Sequence, residues 1–335
     1  MIFSQVIIKG SGSISEAVIE VHDLLKTYGD LKAVDNISFD VIAGEVFSLL
    51  GPNGAGKTTT VEILECLRPL TSGEVRVLGM DINKEANGIK RRIGVLPQDF
   101  NAFDLLTVKE NIEFFGGMYD KSVDSEELID AVDLREKRDE YFKNLSGGLK
   151  QRVGVAISMV NDPDIVFLDE PTTGLDPKAR RDVWGVIQSL KTKGKTVILT
   201  THYMEEAEVL SDRVGIIDHG KFIAFGTPKE IVDRHGTGSK CIISNCDDKC
   251  LAAIQGQWPS AEKNNGDIVI RLESKNSLPE IIYALDRSGG NYEQIQVTRP
   301  TLEDVFLSLT GKKLFAEEVE PVKGKKKRKG KKGAK

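Results

Sequence analysis

The feature that most constrains this chain is a junction. Val46-Phe47-Ser48-Leu49-Leu50 is a continuous, largely apolar run, and it leads directly into Gly51-x-x-x-x-Gly56-Lys57-Thr58 and a helical pattern from about Lys57 to Leu67. Such a run suits a strand buried on both faces, as in a parallel sheet. Gly51, Gly54 and Gly56 let the backbone turn sharply and bring its N–H groups close to an anion. A helix starting at Lys57 adds the positive end of its dipole at the same place. Strand, glycine loop and helix in that order form the context a P-loop requires. Asn53, Gly54, Ala55, Gly56, Lys57, Thr58 and Thr59 are therefore expected to cradle phosphate groups. Lys57 supplies a point charge for the β- and γ-phosphates, and the Thr58 hydroxyl a ligand for Mg²⁺.

The rest of the pattern builds a sheet around that junction. Ile165–Leu168 and Thr196–Leu199 read as further buried strands, with helical patterns at about 149–160, 178–193 and 204–210. Strands alternating with helices predict a parallel sheet. The stretches 18–21 and 37–41 alternate apolar and polar residues and belong to an antiparallel β subdomain. Arg213–Asp218 and Lys221–Phe225 flank His219-Gly220 as a hairpin. Residues 104–143 are helix-like and read as a helical insertion. The fold class is α/β, a P-loop NTPase core. Asp169 and Glu170 close the second apolar strand, where carboxylates would rise above the C-terminal edge of the sheet beside the glycine loop. Adjacent acids there can divide the work, Asp169 organising Mg²⁺ and Glu170 orienting or deprotonating a water.

Past Arg234 the organisation changes. Residues 235–239 read as a linker. Short strands at about 240–244, 268–272 and 293–298, with helices at about 247–255, 277–288 and 301–310, make a small α+β unit. The expected divisions are an extension at 1–16, an ATPase domain at 17–234, an accessory domain at 239–311 and a basic tail at 312–335.

Charge and cysteine content exclude several classes. Nine of the 46 basic residues lie in 323–335, which has no acid, so 51 acidic residues face 37 basic ones over 1–322. An acidic body argues against nucleic acid as a partner, while the tail is expected to stay disordered and could meet an anionic membrane surface. No apolar run reaches the roughly 18 residues that cross a bilayer, and the N-terminus lacks a secretory pattern. A cytoplasmic protein is expected. Cys66, Cys241, Cys246 and Cys250 do not make a disulfide framework in a chain of 335 residues, and the last three lack the spacing of common zinc sites.

Leu145-Ser146-Gly147-Gly148-Leu149-Lys150-Gln151-Arg152 is a second glycine-rich turn ahead of a helix, about twenty residues before the strand that ends in Asp169. With it the sequence resembles the ABC ATPase family, over about residues 18–234. The resemblance implies that Ser146, Gly147 and Gly148 complete the ATP site of a second copy, so that a homodimer sandwiches two nucleotides. It also implies that Tyr28 stacks on adenine, that Gln98 senses Mg²⁺ and faces a membrane partner, that Gly174-Leu175-Asp176-Pro177 contacts the dimer mate, and that His202 is the switch histidine near the γ-phosphate. Leu149 stands where many members of the family have Gln, so no binding role follows for it. Residues 299–311 resemble the C-terminal helix of daunorubicin-resistance-type exporter ATPases, with Leu302, Val305, Phe306 and Leu309 on one face.

The resemblance implies an ATP-hydrolysing subunit that drives an integral membrane permease on a separate chain, most readily an exporter, held peripherally at the cytoplasmic face of the membrane. Two other readings stay open. Family members that act on ribosomes usually carry two ATPase units, and those that act on DNA carry long coiled coils; this chain has one unit and only 87 residues between Lys57 and Leu145. A regulatory scaffold with a dead site would not need both Glu170 and His202. The cargo is not legible.

Overall fold

Strands that bury every side chain form the centre of this protein, and strands that bury alternate side chains lie outside it. The computed structural model describes residues 16–311 apart from 237, 265 and 273–276. The tail (312–335) and all but the last residue of the expected N-terminal extension (1–16) lie outside these residues.

The chain enters through β1 (Ala17–Tyr28) and β2 (Leu31–Ile42), an antiparallel pair much longer than the alternating stretches suggest. Then comes β3 (Val46–Leu50), buried at all five positions. Helix α1 (Lys57–Leu64) stops three residues short of the apolar pattern. Cys66 adopts φ 57°, a left-handed conformation that ends a helix, and Leu67 is turned out to solvent. Strands β4 (Ser72–Val77) and β5 (Met80–Asp81) return to the first sheet, whose order is β2-β1-β4-β5. The sequence pattern does not reveal them, because β4 buries only Val75 and Val77. Helix α2 (Ala86–Lys90) leads to β6 (Ile93–Leu96), an edge strand also missed by pattern.

The insertion contains α3 (Val108–Gly116), started by a Thr107/Glu110 capping box, and α4 (Ser125–Ala131), capped by Asp124. Helix α5 (Gly147–Ser158), β7 (Ile165–Asp169), α6 (Pro177–Thr192), β8 (Thr196–Thr201) and α7 (Met204–Leu210) follow. The hairpin is β9 (Arg213–Asp218) with β10 (Lys221–Gly226), and α8 (Pro228–His235) comes after it.

The central sheet has the order β10-β9-β3-β8-β7-β6, with β6, β7, β8, β3 and β9 parallel. Its register decides where the chemistry sits. Leu50 lies opposite Thr201, and Asp169 lies opposite Thr200. The loops leaving β3, β7 and β8 therefore emerge side by side at one edge, where ligands bind in open α/β sheets.

The C-terminal part comprises β11 (Lys240–Ser244), α9 (Asp248–Gln257), β12 (Glu262–Asn264), β13 (Asp267–Arg271), α10 (Ser277–Ser288), β14 (Gln294–Thr298) and α11 (Leu302–Thr310). Its strands form an antiparallel sheet of order β12-β13-β11-β14. Cys241, Cys246 and Cys250 are buried free thiols in the core of this sheet and its helices. Helix α11 buries Leu302, Val305 and Phe306 against Leu50, Met204, Ala207, Val214 and Ile231, so its apolar face closes the core beside β3, α7 and α8. Leu309, expected on the same face, is 39% exposed, because it lies a full turn past the end of that contact. Among the described residues no helix is long and apolar enough to cross a membrane.

Candidate functional site

The glycine loop turns between β3 and α1 in very little space. Gly56 has φ 110°, and a Cβ built there would meet the Ala33 carbonyl oxygen at 2.3 Å, so neither its conformation nor its surroundings accept a side chain. No side chain caps the helix that follows, and its first turn holds no acid. Its leading N–H groups are left for an anion. Asn53, Gly54 and Thr58 are exposed, Gly56 and Thr59 half-buried, and Ala55 is buried with its N–H donated to the Pro52 carbonyl at 3.2 Å.

Lys57 is buried and donates from Nζ to the carbonyls of Gly51 at 2.8 Å and Pro52 at 3.2 Å, with Glu170 Oε1 at 3.7 Å. Burial lowers its pKa, and the Glu170 and Asp169 carboxylates oppose that shift. The ammonium is thus held at the root of the loop by two carbonyls of the loop and by the Glu170 carboxylate.

Asp169 and Glu170 differ although they are adjacent. Asp169 completes β7; burial raises its pKa, while the Thr200 hydroxyl donates to its Oδ1 and favours the ionised form. Glu170 has φ 49°, a left-handed conformation that costs on the order of 1–3 kcal/mol for a residue with a side chain. Its backbone N–H donates to the Thr200 carbonyl at 3.1 Å and to Thr200 Oγ1 at 3.0 Å, which holds that conformation in place. Glu170 Oε2 accepts from His202 Nδ1 at 3.0 Å and from Thr173 Oγ1 at 3.0 Å. The His202 contact is the largest cause of a lowered pKa at Glu170. Lys57, Glu170 and His202, scattered over 146 positions of sequence, so form one chain of polar contacts across β3, β7 and β8.

The other expected residues lie around this centre. Tyr28 ends β1 with an exposed ring; its hydroxyl accepts from Arg68 at 2.9 Å, and Lys26 Nζ lies 5.0 Å from the ring centroid. Arg68 in turn pairs with Glu62 of α1, which ties the ring to the helix of the glycine loop. Gln98 follows β6 and is exposed.

Ser146 is the N-cap of α5 and accepts from Leu149 N at 3.5 Å. A Cβ on Gly148 would stand 2.7 Å from Ala179 Cβ, so the turn is pressed against the start of α6, while Gly147 faces Leu175. Leu149 packs on the core beneath α5. Among the described residues, no hydrogen bond or ion pair joins Ser146, Gly147 or Gly148 to the Gly51–Thr58 loop of the same chain.

Sequence reasoning missed Thr200, Thr173 and Glu65. Thr200 is visible in retrospect as a polar pair with Thr201 at the end of an apolar strand, while Thr173 has no comparable signal. Glu65 caps the C-terminal end of α1, is 4% exposed, and has its pKa raised to about 8 by burial and by the Asp169 and Glu62 carboxylates. Only its position in the fold distinguishes it from any helical glutamate.

The family profile described as ABC transporter matches residues 34–173, and one described as the C-terminal domain of DrrA1-3-like ATP-binding proteins matches residues 226–310. The second match starts ahead of α8, which packs against α11 here. The chain is 37% identical over 310 residues to Nod factor export ATP-binding protein I of Sinorhizobium fredii (strain NBRC 101917 / NGR234), covering 91% of this chain and 89% of that protein. It is 36% identical over 306 residues to the daunorubicin/doxorubicin resistance ATP-binding protein DrrA of Streptomyces peucetius, covering 88% and 92%. Among solved structures it resembles a dimeric ATP-binding cassette in a post-hydrolysis state bound to ADP and Pi, with a TM-score of 0.56 and 29% identity over 62% of this chain and 98% of that one.

Proposed function

The chain belongs to the family of ABC transporter ATP-binding proteins, and on that premise we propose that it is the ATP-hydrolysing subunit of an exporter whose membrane-spanning permease is a separate chain. ATP is the substrate, bound through the amides of Asn53–Thr59 and the charge of Lys57, with Tyr28 against the base. Ser146, Gly147 and Gly148 act on the nucleotide of a second copy in a homodimer. Closure excludes water and strengthens each charge contact at the phosphates. Glu170 positions the attacking water, and His202 holds the Glu170 carboxylate through Nδ1.

The convergence of Lys57 and His202 on one strained, buried glutamate carries this reading. Glu170→Gln keeps the shape and removes the charge. That variant is expected to bind ATP, to lower kcat by about 10²–10³-fold and to accumulate as a dimer on sizing columns with ATP. Wild-type turnover would refute the role.

The residues suit Mg²⁺ as the accompanying ion. Thr58 presents an exposed hydroxyl at the start of α1, Asp169 a buried carboxylate at the end of β7, and Gln98 an exposed amide oxygen after β6. Mg²⁺ takes one or two protein carboxylates and leaves its other positions to phosphate and water, so no larger acidic cluster is required. When bound, it would neutralise charge on the β- and γ-phosphates.

An exposed apolar surface on the insertion supports the permease partner. Phe103, Leu105, Phe114 and Met118 are all more than 45% exposed, and the Phe103 and Phe114 rings meet at 4.7 Å. Such a patch suits a protein partner near Gln98 and residues 101–115, and it would hold the protein at the cytoplasmic face of the membrane. The basic stretch 323–335 adds a contact for anionic headgroups in this reading. Its deletion is expected to weaken binding to phosphatidylserine vesicles at low salt and to change nothing at high salt; equal binding at low salt would remove that contact from the scheme.

A further inference from the structure

Glu206 lies on α7 with none of its surface exposed and takes no part in the scheme above. Its Oε1 accepts from the Thr172 hydroxyl at 2.8 Å and from Trp184 Nε1 at 2.8 Å. The Thr201 hydroxyl lies against the same carboxyl. These partners are not an arbitrary set. Thr172 is two residues past Glu170. Thr201 directly precedes His202. Trp184 is on α6, the helix that begins where the loop from Glu170 ends.

A second observation concerns hydrogen bonds left unmade. Among the described residues, two side-chain atoms are buried with no hydrogen-bond partner: Glu206 Oε2 and Arg180 Nε. They are an acceptor and a donor in one neighbourhood. The Arg180 guanidinium lies 3.9 Å from the centroid of the Tyr203 ring, next to His202, and its charge acts on Glu206. Native cores seldom leave such groups unmatched, so each calls for a physical account. An apolar side chain of the same size would fill the space without leaving an oxygen unmatched.

We propose that Glu206 is a positioning residue: through Thr172, Thr201 and Trp184 it fixes the loop carrying Glu170 relative to the strand end carrying His202. The 3.0 Å contact between His202 Nδ1 and Glu170 Oε2 depends on two segments that leave different strands; Glu206 is on the helix that begins just after His202 and is hydrogen-bonded to Thr172 of the loop that carries Glu170. Burial raises the pKa of Glu206, which favours the neutral acid, so glutamine is a close substitute for it.

The inference rests on the roles proposed for Glu170 and His202, and its test separates the two. In the full-length protein, Glu206→Leu removes the acceptor and keeps the volume. It is expected to lower kcat for ATP about 10–100-fold, with KM and ATP affinity within about twofold of wild type, while Glu206→Gln keeps most of the rate. In a Glu170→Gln background, single-turnover hydrolysis should not fall further on adding Glu206→Leu, because the carboxylate being positioned is already gone. Wild-type kcat in Glu206→Leu overturns the inference. So does an undiminished fold-loss in the Glu170→Gln background, which would mean that Glu206 acts elsewhere. If Glu206→Leu fails to fold, Thr172→Val removes the hydroxyl alone; a kcat drop of about 3–10-fold at unchanged ATP affinity supports the clamp, and wild-type kcat overturns it. Wild-type kcat in Glu170→Gln alone sinks the catalytic reading instead.

Discussion

The protein has two glycine-rich turns that open helices, and they are built for different company. The turn before α1 has no side-chain cap, a buried lysine at its root and two carboxylates across the sheet edge. The turn before α5 is capped by its own Ser146, has no lysine placed as Lys57 is, and is pressed onto the start of α6 by Gly148. The first turn leaves its N–H groups for the phosphates proposed above, and the charged groups beside it are in the same chain. The second is already satisfied internally and offers a hydroxyl and backbone N–H groups to something outside. In the proposed dimer, similar local sequences become opposite halves of a site, and the difference lies in what the rest of the fold sets beside each one.

Lys57→Ala is the harshest way to break this contrast. With the ammonium gone, Asp169 and Glu170 face the phosphates uncompensated. ATP affinity is expected to fall by about 100-fold or more, close to 3 kcal/mol, measured by calorimetry or nucleotide fluorescence. Near-normal affinity would mean that the first turn is not the phosphate cradle.

Ser146→Arg tests the other half. A bulky cation in the second turn should leave ATP affinity of the single chain within about twofold and lower steady-state hydrolysis about tenfold or more. Mixing it with Lys57→Ala chains sharpens the comparison. A mixed dimer retains one intact composite site only if the two turns come from different copies, so partial recovery of activity is expected on mixing. No recovery, with both variants folded, would place both turns in one chain's site.

Glu65→Gln is expected to change ATP turnover least of the three, and it concerns stability at the far end of α1. Glu65 sits at the helix C-terminus, where the dipole disfavours a negative charge, and its pKa is raised to about 8 from an ordinary 4.5. An acid whose folded pKa is raised holds its proton in the folded state after the unfolded state has released it. Stability therefore falls as pH rises from about 4.5 to about 8 and levels off above that. The glutamine variant lacks this loss. Its advantage over wild type in urea melts should grow across that window, to at most roughly 5 kcal/mol. A pH-independent difference would show that the carboxyl is ionised throughout.

Much of the fold was legible in the sequence. Apolar runs marked β3, β7 and β8, because strands buried on both faces have no polar side to show. The edge strands β4, β5 and β6 left little trace, since short strands with few buried side chains resemble loops. Helix α11 was legible as an amphipathic helix, but its partner surface was not, because periodicity gives a face and never its neighbour.

The sequence by itself determined the parts list of the site: a glycine loop with Lys57 and Thr58, an acidic pair at a strand end, a histidine after another, and a second turn without a lysine. Those features are local, set by residue type and spacing along one element. What only the tertiary structure decided is how the parts act on one another. The register of β3, β7 and β8 brings Lys57, Glu170 and His202 together. Thr200 holds a left-handed Glu170, and a wholly buried Glu206 links the loops on either side. Hydrogen bonds between residues some 30 or more positions apart depend on strand order and register, and no local pattern carries that information.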